Sequence, residues 1–279
     1  MKNSDSIVYQ GAPGSFSHLT ALHHCRSNPV LDGKKTFPEV FEALKKREAQ
    51  YGIIPIENSL IGSIYENYDL LGKSSLSIIR EIKTRIELSL IALPGASIDQ
   101  IKTVFSHPKA LEQCHIFFQK YPHIQAVIHY DTGGAVEKIK RGEDPSCAAI
   151  ASSLAAKYYG LNVLKFQLED DLENYTRFVL LSVEKSSPGF MENHHKCSIS
   201  FNLEHRKGAL VSVLEALSNQ GVNLTKIESR PIFGKAFEYF FYLDFQIPLE
   251  TTTWNAHPLL EDLQQRVKNL HLLGIYECC

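Results

Sequence analysis

No Cys-x-x-Cys pair occurs among the six cysteines, Cys25, Cys114, Cys147, Cys197, Cys278 and Cys279. Their spacing outlines neither a zinc site nor a disulfide framework, so no metal is expected and the thiols read as reduced and cytosolic. The N-terminus, Met1-Lys2-Asn3-Ser4-Asp5-Ser6, lacks an apolar leader. No apolar run approaches the roughly 20 residues of a membrane span, which argues against a membrane partner. Long basic runs are missing and the net charge is −2. A phosphate backbone needs a concentrated basic face, so nucleic acid is excluded as a partner. The dinucleotide fingerprint Gly-x-Gly-x-x-Gly is absent, and Gly72-Lys73-Ser74 only imitates the end of a phosphate loop, because Asn67 stands where that loop needs glycine. No organic cofactor is expected.

What is present is the composition of an ordinary globular protein, 44% hydrophobic and 22% charged over 279 residues. That length favours two domains. Up to about residue 183 short apolar runs alternate with helical stretches, which argues an α/β domain with a mainly parallel sheet. Ile7-Val8-Tyr9 reads as a strand entering Gly11-Ala12-Pro13-Gly14-Ser15-Phe16-Ser17 and a Ser-capped helix, a geometry whose free N–H groups suit an anion. Tyr51 to Ile56 reads as a buried strand with Glu57-Asn58-Ser59 at its end, where ligands sit in open α/β sheets. Ile86 to Leu93 reads as another strand. Ser106 reads as the cap of a helix begun by Pro108, with Gln113 two turns on along the same face. Asp131-Thr132 opens a further helix, and Gly160 closes one. Asn174-Tyr175-Thr176-Arg177-Phe178 leads into Val179-Leu180-Leu181, so Thr176 and Phe178 share one face of a strand and Arg177 the other. Each of these also has a plain structural reading: a βα turn, a capping Ser, a surface Gln or a surface Arg.

Ser186 to His195 is polar and carries Pro and Gly, the composition of a linker. Beyond it the pattern becomes strand (Cys197–Leu203), helix (Leu210, Val213, Leu214, Leu217), strand (Val222–Ile232), strand (Tyr239–Ile247), helix (Leu260, Leu263, Val267, Leu270) and strand (Leu273–Tyr276). That order, βαββαβ, is the ferredoxin-like one. The expected division is 1–185, a linker 186–195, and 196–279.

Together these segments resemble the prephenate dehydratase family with a C-terminal ACT domain. The resemblance lies in Gly11 to Ser17, Gly52 to Leu71, Ser106 to Cys114, Ala148 to Leu164 and Asn174 to Leu181, then in Lys207 to Val213 and Gly221 to Pro231. It implies a two-lobed catalytic domain of the periplasmic-binding-protein kind, converting prephenate to phenylpyruvate without cofactor, and feedback by L-phenylalanine. It also implies an active site drawing on Thr176, Glu57, Asn58, Ser106, Gln113 and Phe178, with Asp131 and Thr132 from a further segment. Regulatory residues would be Gly208, Ala209, Leu210 and Val211 with Glu228, Ser229, Arg230 and Pro231. One departure is Leu88, where many members carry His.

For the chemistry, Thr176 would hydrogen-bond the leaving hydroxyl, and a partly desolvated Glu57 would be the ultimate acid. Helix N-termini at Ser15, Ser59 and Ser106 would meet the substrate carboxylates, with Arg177 and Phe178 also lining the site. The Asp131-Thr132 turn and the Glu169-Asp170-Asp171 run also resemble the plant arogenate dehydratases. A third reading is a non-catalytic two-lobed amino-acid sensor. ACT domains pair edge to edge, so a homodimer or homotetramer is expected.

Overall fold

The computed structural model describes residues 6–24, 29–184, 195–232, 234–235, 238–247 and 256–277. In chain order the first elements are β1 (Ser6–Gln10), α1 (Phe16–His24), β2 (Val30–Lys34), α2 (Phe37–Lys45), β3 (Tyr51–Asn58), β4 (Gly62–Ser63), α3 (Tyr65–Lys73), β5 (Ser77–Arg85) and β6 (Ser89–Ala92). Then come β7 (Thr103–Ser106), α4 (Pro108–Glu112), α5 (His115–Lys120), β8 (Gln125–Ile128), α6 (Thr132–Gly142), β9 (Cys147–Ala151), α7 (Ser153–Tyr159), β10 (Asn162–Lys165) and β11 (Tyr175–Ser182). The last are β12 (His195–Asn202), α8 (Ala209–Asn219), β13 (Asn223–Pro231), β14 (Tyr239–Gln246), α9 (Ala256–Arg266) and β15 (Lys268–Glu277). No helix among the described residues is long and apolar enough to cross a membrane.

By contacts the chain forms two units, Met1–Ile64 with Ile82–Phe178, and Tyr65–Glu81 with Val179–Cys279. The division falls inside β5 and β11. The expected linker lies outside the described residues except for His195, which opens β12.

The first unit is α/β with two lobes. In one lobe β1 pairs in parallel with β2 and β3. At Gly52 of β3 the side chains of α2 press against the strand: a Cβ there would meet Leu44 at 2.6 Å. In the other lobe the strand order is β10-β6-β9-β7-β8, parallel at β7–β8 and β7–β9, antiparallel at β6–β9 and β10–β6. This sheet is mixed rather than mainly parallel. Its core includes Leu88, Leu90, Ile101, Val104, Cys114, Phe117 and Ile150. The chain enters this lobe through 86–88 and leaves through 168–174. The two passages are stitched together, Ile86 N to Asn174 O at 2.8 Å and Leu168 N to Leu88 O at 2.8 Å. Leu88 is fully buried in that core, and its N–H donates to Glu169 Oε2 at 2.7 Å.

Several expected boundaries move. The run from Ile86 to Leu93 is extended only over Ser89–Ala92, while β2 and β5 were not read from the pattern. β2 has an exposed, Gly-interrupted sequence without alternation.

In the second unit β12 to β15 follow the βαββαβ order, all neighbours antiparallel in the order β13-β14-β12-β15. Residues Cys197, Ile199, Phe201, Leu243, Phe245 and Ile275 pack with Val213, Leu217, Leu259 and Leu263. Helix α9 stops at Arg266, and Leu270, expected on it, belongs to β15. Period 3.6 and period 2 coincide over so short an overlap. The opposite sheet face is polar but buried, because Tyr65–Glu81 packs on it. Tyr242 OH donates to Tyr68 O at 2.7 Å, Arg230 pairs with Asp69 at 3.0 Å, and Lys196 meets both Glu81 oxygens at 2.9 Å. Gly274 is required here, since a Cβ would collide with the Ile78 carbonyl.

Candidate active site

The hinge between the lobes of the first unit carries a chain of side-chain amides. Asn58, the last residue of β3, is buried and turns its Oδ1 to the backbone N–H groups of Leu60 (3.0 Å) and Ile61 (3.1 Å). This is an Asx turn, in which a short carboxamide replaces a backbone acceptor. Its Nδ2 donates to Asn174 Oδ1 (2.8 Å), Tyr175 O (3.1 Å) and Thr176 Oγ1 (3.0 Å). Asn174 Nδ2 in turn donates to Gln113 Oε1 at 3.0 Å. Gln113 Nε2 is buried and has no partner among the described residues. Ser59 seals the turn: its N–H donates to Tyr175 O, its hydroxyl to Glu173 O, and it accepts from Tyr175 N.

Thr176, 8% exposed, uses its oxygen to accept from Asn58. Its proton is therefore available for something else. Arg177 is also buried, at 8%, and meets Glu57 at 3.4 Å, so it is not a surface residue. Glu57 is one-third exposed and ion-paired with Arg177. Phe178 is 2% exposed and packs into the core.

Ser106 is not a helix cap. It ends β7, its hydroxyl donates to Ile150 O, and His107 caps α4 instead by accepting from Lys109 N through Nδ1. Helix α4 ends at Glu112, so Ser106 and Gln113 share no helical face; Gln113 is the C-cap. Pro108 fixes this start, because proline cannot donate and favours the first helical turn. Ser59 likewise sits in a turn before β4, not at a helix N-terminus.

Asp131 caps α6 through Gly134 N at 2.6 Å and accepts from Ala12 N at 2.9 Å, tying the Gly11–Ser15 turn to the other lobe. Thr132 is buried beside it, and a Cβ on Gly133 would meet Pro13 O at 2.7 Å. Ser152 adds a second tie, donating to Gly14 O at 2.9 Å. Ser15 Oγ accepts from His18 N at 3.3 Å, which bears out a Ser-capped start for α1. His18 accepts from Gly14 N at 2.9 Å and stacks on Tyr9. Burial pushes its pKa below the ordinary value. Burial does the same to His107, partly opposed by Asp131. A cleft of about 290 Å³ opens here, lined among others by Gly11, Pro13, Lys34, Lys35 and Tyr130. Lys34 ends β2, a strand without a sequence pattern, and is ion-paired with Asp32 at 2.9 Å. Asn174, buried at 0%, was read only as part of its motif; its place two residues before Thr176 was the available signal.

In the second unit Gly208 caps α8 with φ 80°, a left-handed conformation that favours glycine, and nothing lies within 4 Å of a Cβ there. Ala209 is buried, Leu210 half-buried, and Val211 exposed. Glu228 to Pro231 lie on β13, as the strand pattern from Val222 to Ile232 places them, and Arg230 stacks on Tyr65 as well as pairing with Asp69.

The prephenate dehydratase family model matches residues 7–186. Arogenate dehydratase/prephenate dehydratase 2, chloroplastic, of Arabidopsis thaliana is 36% identical, covering 97% of this chain and 72% of its own. The bifunctional chorismate mutase/prephenate dehydratase of Escherichia coli K12 is 33% identical over 98% and 71%. A prephenate dehydratase from Arthrobacter aurescens, solved in complex with L-Phe, superposes with a TM-score of 0.86 at 27% identity, over 98% of this chain and 89% of that one. A structure described as GqqA, a novel type of quorum quenching acylase, superposes at 0.87 with 27% identity over 98% of both chains. The model match, the identities and the two-lobed fold agree: the chain belongs to the prephenate dehydratase family, carbon–oxygen lyases of aromatic amino-acid biosynthesis.

Proposed function

We propose that this chain converts prephenate to phenylpyruvate, and that Thr176 is its central catalytic residue. The observation that carries the reading is the Thr176 hydroxyl, held as an acceptor by Asn58 and so free to donate. In the reaction the bond from the ring to its carboxylate breaks, its electron pair enters the ring, and the ring C–O bond breaks on the far side. Carbon dioxide leaves, and the departing oxygen takes a proton to become water. Aromatisation drives the step. A hydrogen bond from Thr176 to the departing oxygen lowers the barrier where negative charge develops. Gln113 supplies a second donor, the N–H of its Nε2. Glu57 is the candidate ultimate acid, and Arg177 supplies a fixed positive charge beside it. Asp131 holds the Gly11–Ser15 turn in place against α6, and that turn meets a substrate carboxylate, with Thr132, Ser15 and the cleft lysines around it. Ser106 and Ser59 act by fixing backbone, and Phe178 by packing. Arogenate, which carries an amine where prephenate carries a keto oxygen, is the second candidate substrate.

Turnover of each substrate by the pure protein, followed as phenylpyruvate or phenylalanine, tests this. An N-acyl amide control addresses the acylase neighbour. Conversion of neither acid would remove the reading, and would favour the amino-acid sensor.

The βαββαβ portion is assigned as an ACT domain, with 1–185 as the catalytic domain, 186–195 as linker and 196–279 as the regulatory one. L-Phenylalanine is its ligand, seated at Gly208 to Val211 and Glu228 to Pro231. The open backbone at Gly208 supports this, as does the L-Phe bound to the Arthrobacter relative. β13 ends its sheet, which suits pairing with a second copy into a dimer or tetramer. Calorimetry with L-phenylalanine, and mass by light scattering, test both assignments; no heat at millimolar ligand would remove the first. Cys114, Cys147 and Cys197 are free thiols, which suits a cytoplasmic setting.

A further inference from the structure

A carboxamide can present either its oxygen or its NH₂ group to a neighbour, and only its partners decide which. Along Asn58, Asn174 and Gln113 the decision is made at one end. Two backbone N–H groups, of Leu60 and Ile61, can only donate, so Asn58 must turn Oδ1 toward them. Its Nδ2 then faces Asn174, which must answer with Oδ1. Asn174 therefore offers Nδ2 to Gln113, which must answer with Oε1. The polarity is passed on without ambiguity, and Gln113 is left with Nε2 pointing elsewhere, buried and unpartnered among the described residues. The backbone at each step is pinned as well: Ile86 N donates to Asn174 O, and Asp170 N to Gln113 O at 2.7 Å.

A buried NH₂ group without an acceptor costs free energy that folding alone does not recover. A bound oxygen removes that cost. We infer that Asn174 is a positioning residue that sets the amide polarity of Gln113, so that Gln113 presents an N–H donor to a carboxylate or hydroxyl oxygen of the substrate. The same relay sets Thr176, because Asn58 Nδ2 occupies an acceptor site of its hydroxyl. Both ends of the chain thus offer donors, as a substrate with two carboxylates and a departing hydroxyl requires. This rests on the function proposed above.

The test is Asn174→Asp beside Asn174→Ala, across pH. At neutral pH the introduced carboxylate still accepts from Asn58 but has no hydrogen for Gln113. Gln113 can restore its bond by half a turn of its amide, and it then shows an oxygen to the substrate. Turnover should fall about a hundredfold, the effect of losing one well-placed donor, with the melting temperature little changed. As the pH falls the carboxyl gains a proton, regains an O–H donor, and Gln113 turns back. The activity of Asn174→Asp relative to wild type should therefore rise on acidification, while that of Asn174→Ala relative to wild type stays flat. Wild-type activity in Asn174→Asp at neutral pH, or a ratio to wild type that does not change with pH, overturns the relay. A wild type that turns over neither prephenate nor arogenate counts instead against the proposed function. In that case the NMR signals of the Gln113 side-chain amide decide: they should shift in Asn174→Asp at neutral pH and return in acid, and unchanged signals refute the inference.

Discussion

Thr176→Val separates chemistry from stability at one residue. Valine keeps the β-branched shape on β11, so the 8%-exposed site stays filled. Only the hydroxyl is lost. Asn58 Nδ2 has two hydrogens and three acceptors within reach, Asn174 Oδ1, Tyr175 O and Thr176 Oγ1. Removing the third leaves one acceptor for each hydrogen, so no buried donor is orphaned. The stability loss should then be that of one net hydrogen bond, about 1 kcal/mol. Turnover loses the group that donates to the departing oxygen, a fall of about 10²–10⁴, or roughly 2.7–5.4 kcal/mol of barrier. Urea unfolding and initial-rate assays on the same preparation read both quantities. Thr176→Ser should recover part of the rate. A valine variant within a few-fold of wild-type turnover, or one destabilised by more than about 3 kcal/mol, would refute the assignment.

Glu57→Gln should lower turnover and remove one limb of the pH–rate profile; an unchanged profile leaves Glu57 as the ion-pair partner of Arg177 alone. His18 is held neutral, because its Nδ1 accepts from Gly14 N and burial depresses its pKa below the ordinary 6.5. The unfolded chain binds that proton more readily, so stability is complete above about pH 6.5 and declines as the pH falls through the lowered folded value. His18→Asn should flatten that decline in melting temperature, and an unaltered slope removes His18 as its source. Lys196→Met takes the ammonium away from Glu81, whose side chain has no exposure, and should cost about 3–5 kcal/mol by urea unfolding. A loss under about 1 kcal/mol would mean that water reaches the pair.

Local pattern was enough for most elements and for the family. Alternation along Tyr239 to Gln246, the stripe of Val213 and Leu217, the Asp131 cap and the Gly160 close all depend on neighbours within a turn or a strand, and each appears where its spacing put it. Glu57, Asn58 and Thr176 could be named because short motifs carried them. Their relation could not. Asn58 meets Asn174 and Thr176 across 116 and 118 residues, and Gln113 meets Asn174 across 61. Only the pairing of strands and the doubled hinge bring those amides within hydrogen-bond distance. The same holds for Arg177, which any strand pattern turns outward but the fold buries against Glu57. It holds too for Tyr65–Glu81, whose sequence gives no sign that it covers the sheet of the second unit. Sequence determined which groups the protein carries and which local shapes hold them. Tertiary structure decided which way each amide points, because a hydrogen bond's direction is fixed by its partner and the partner lies far along the chain.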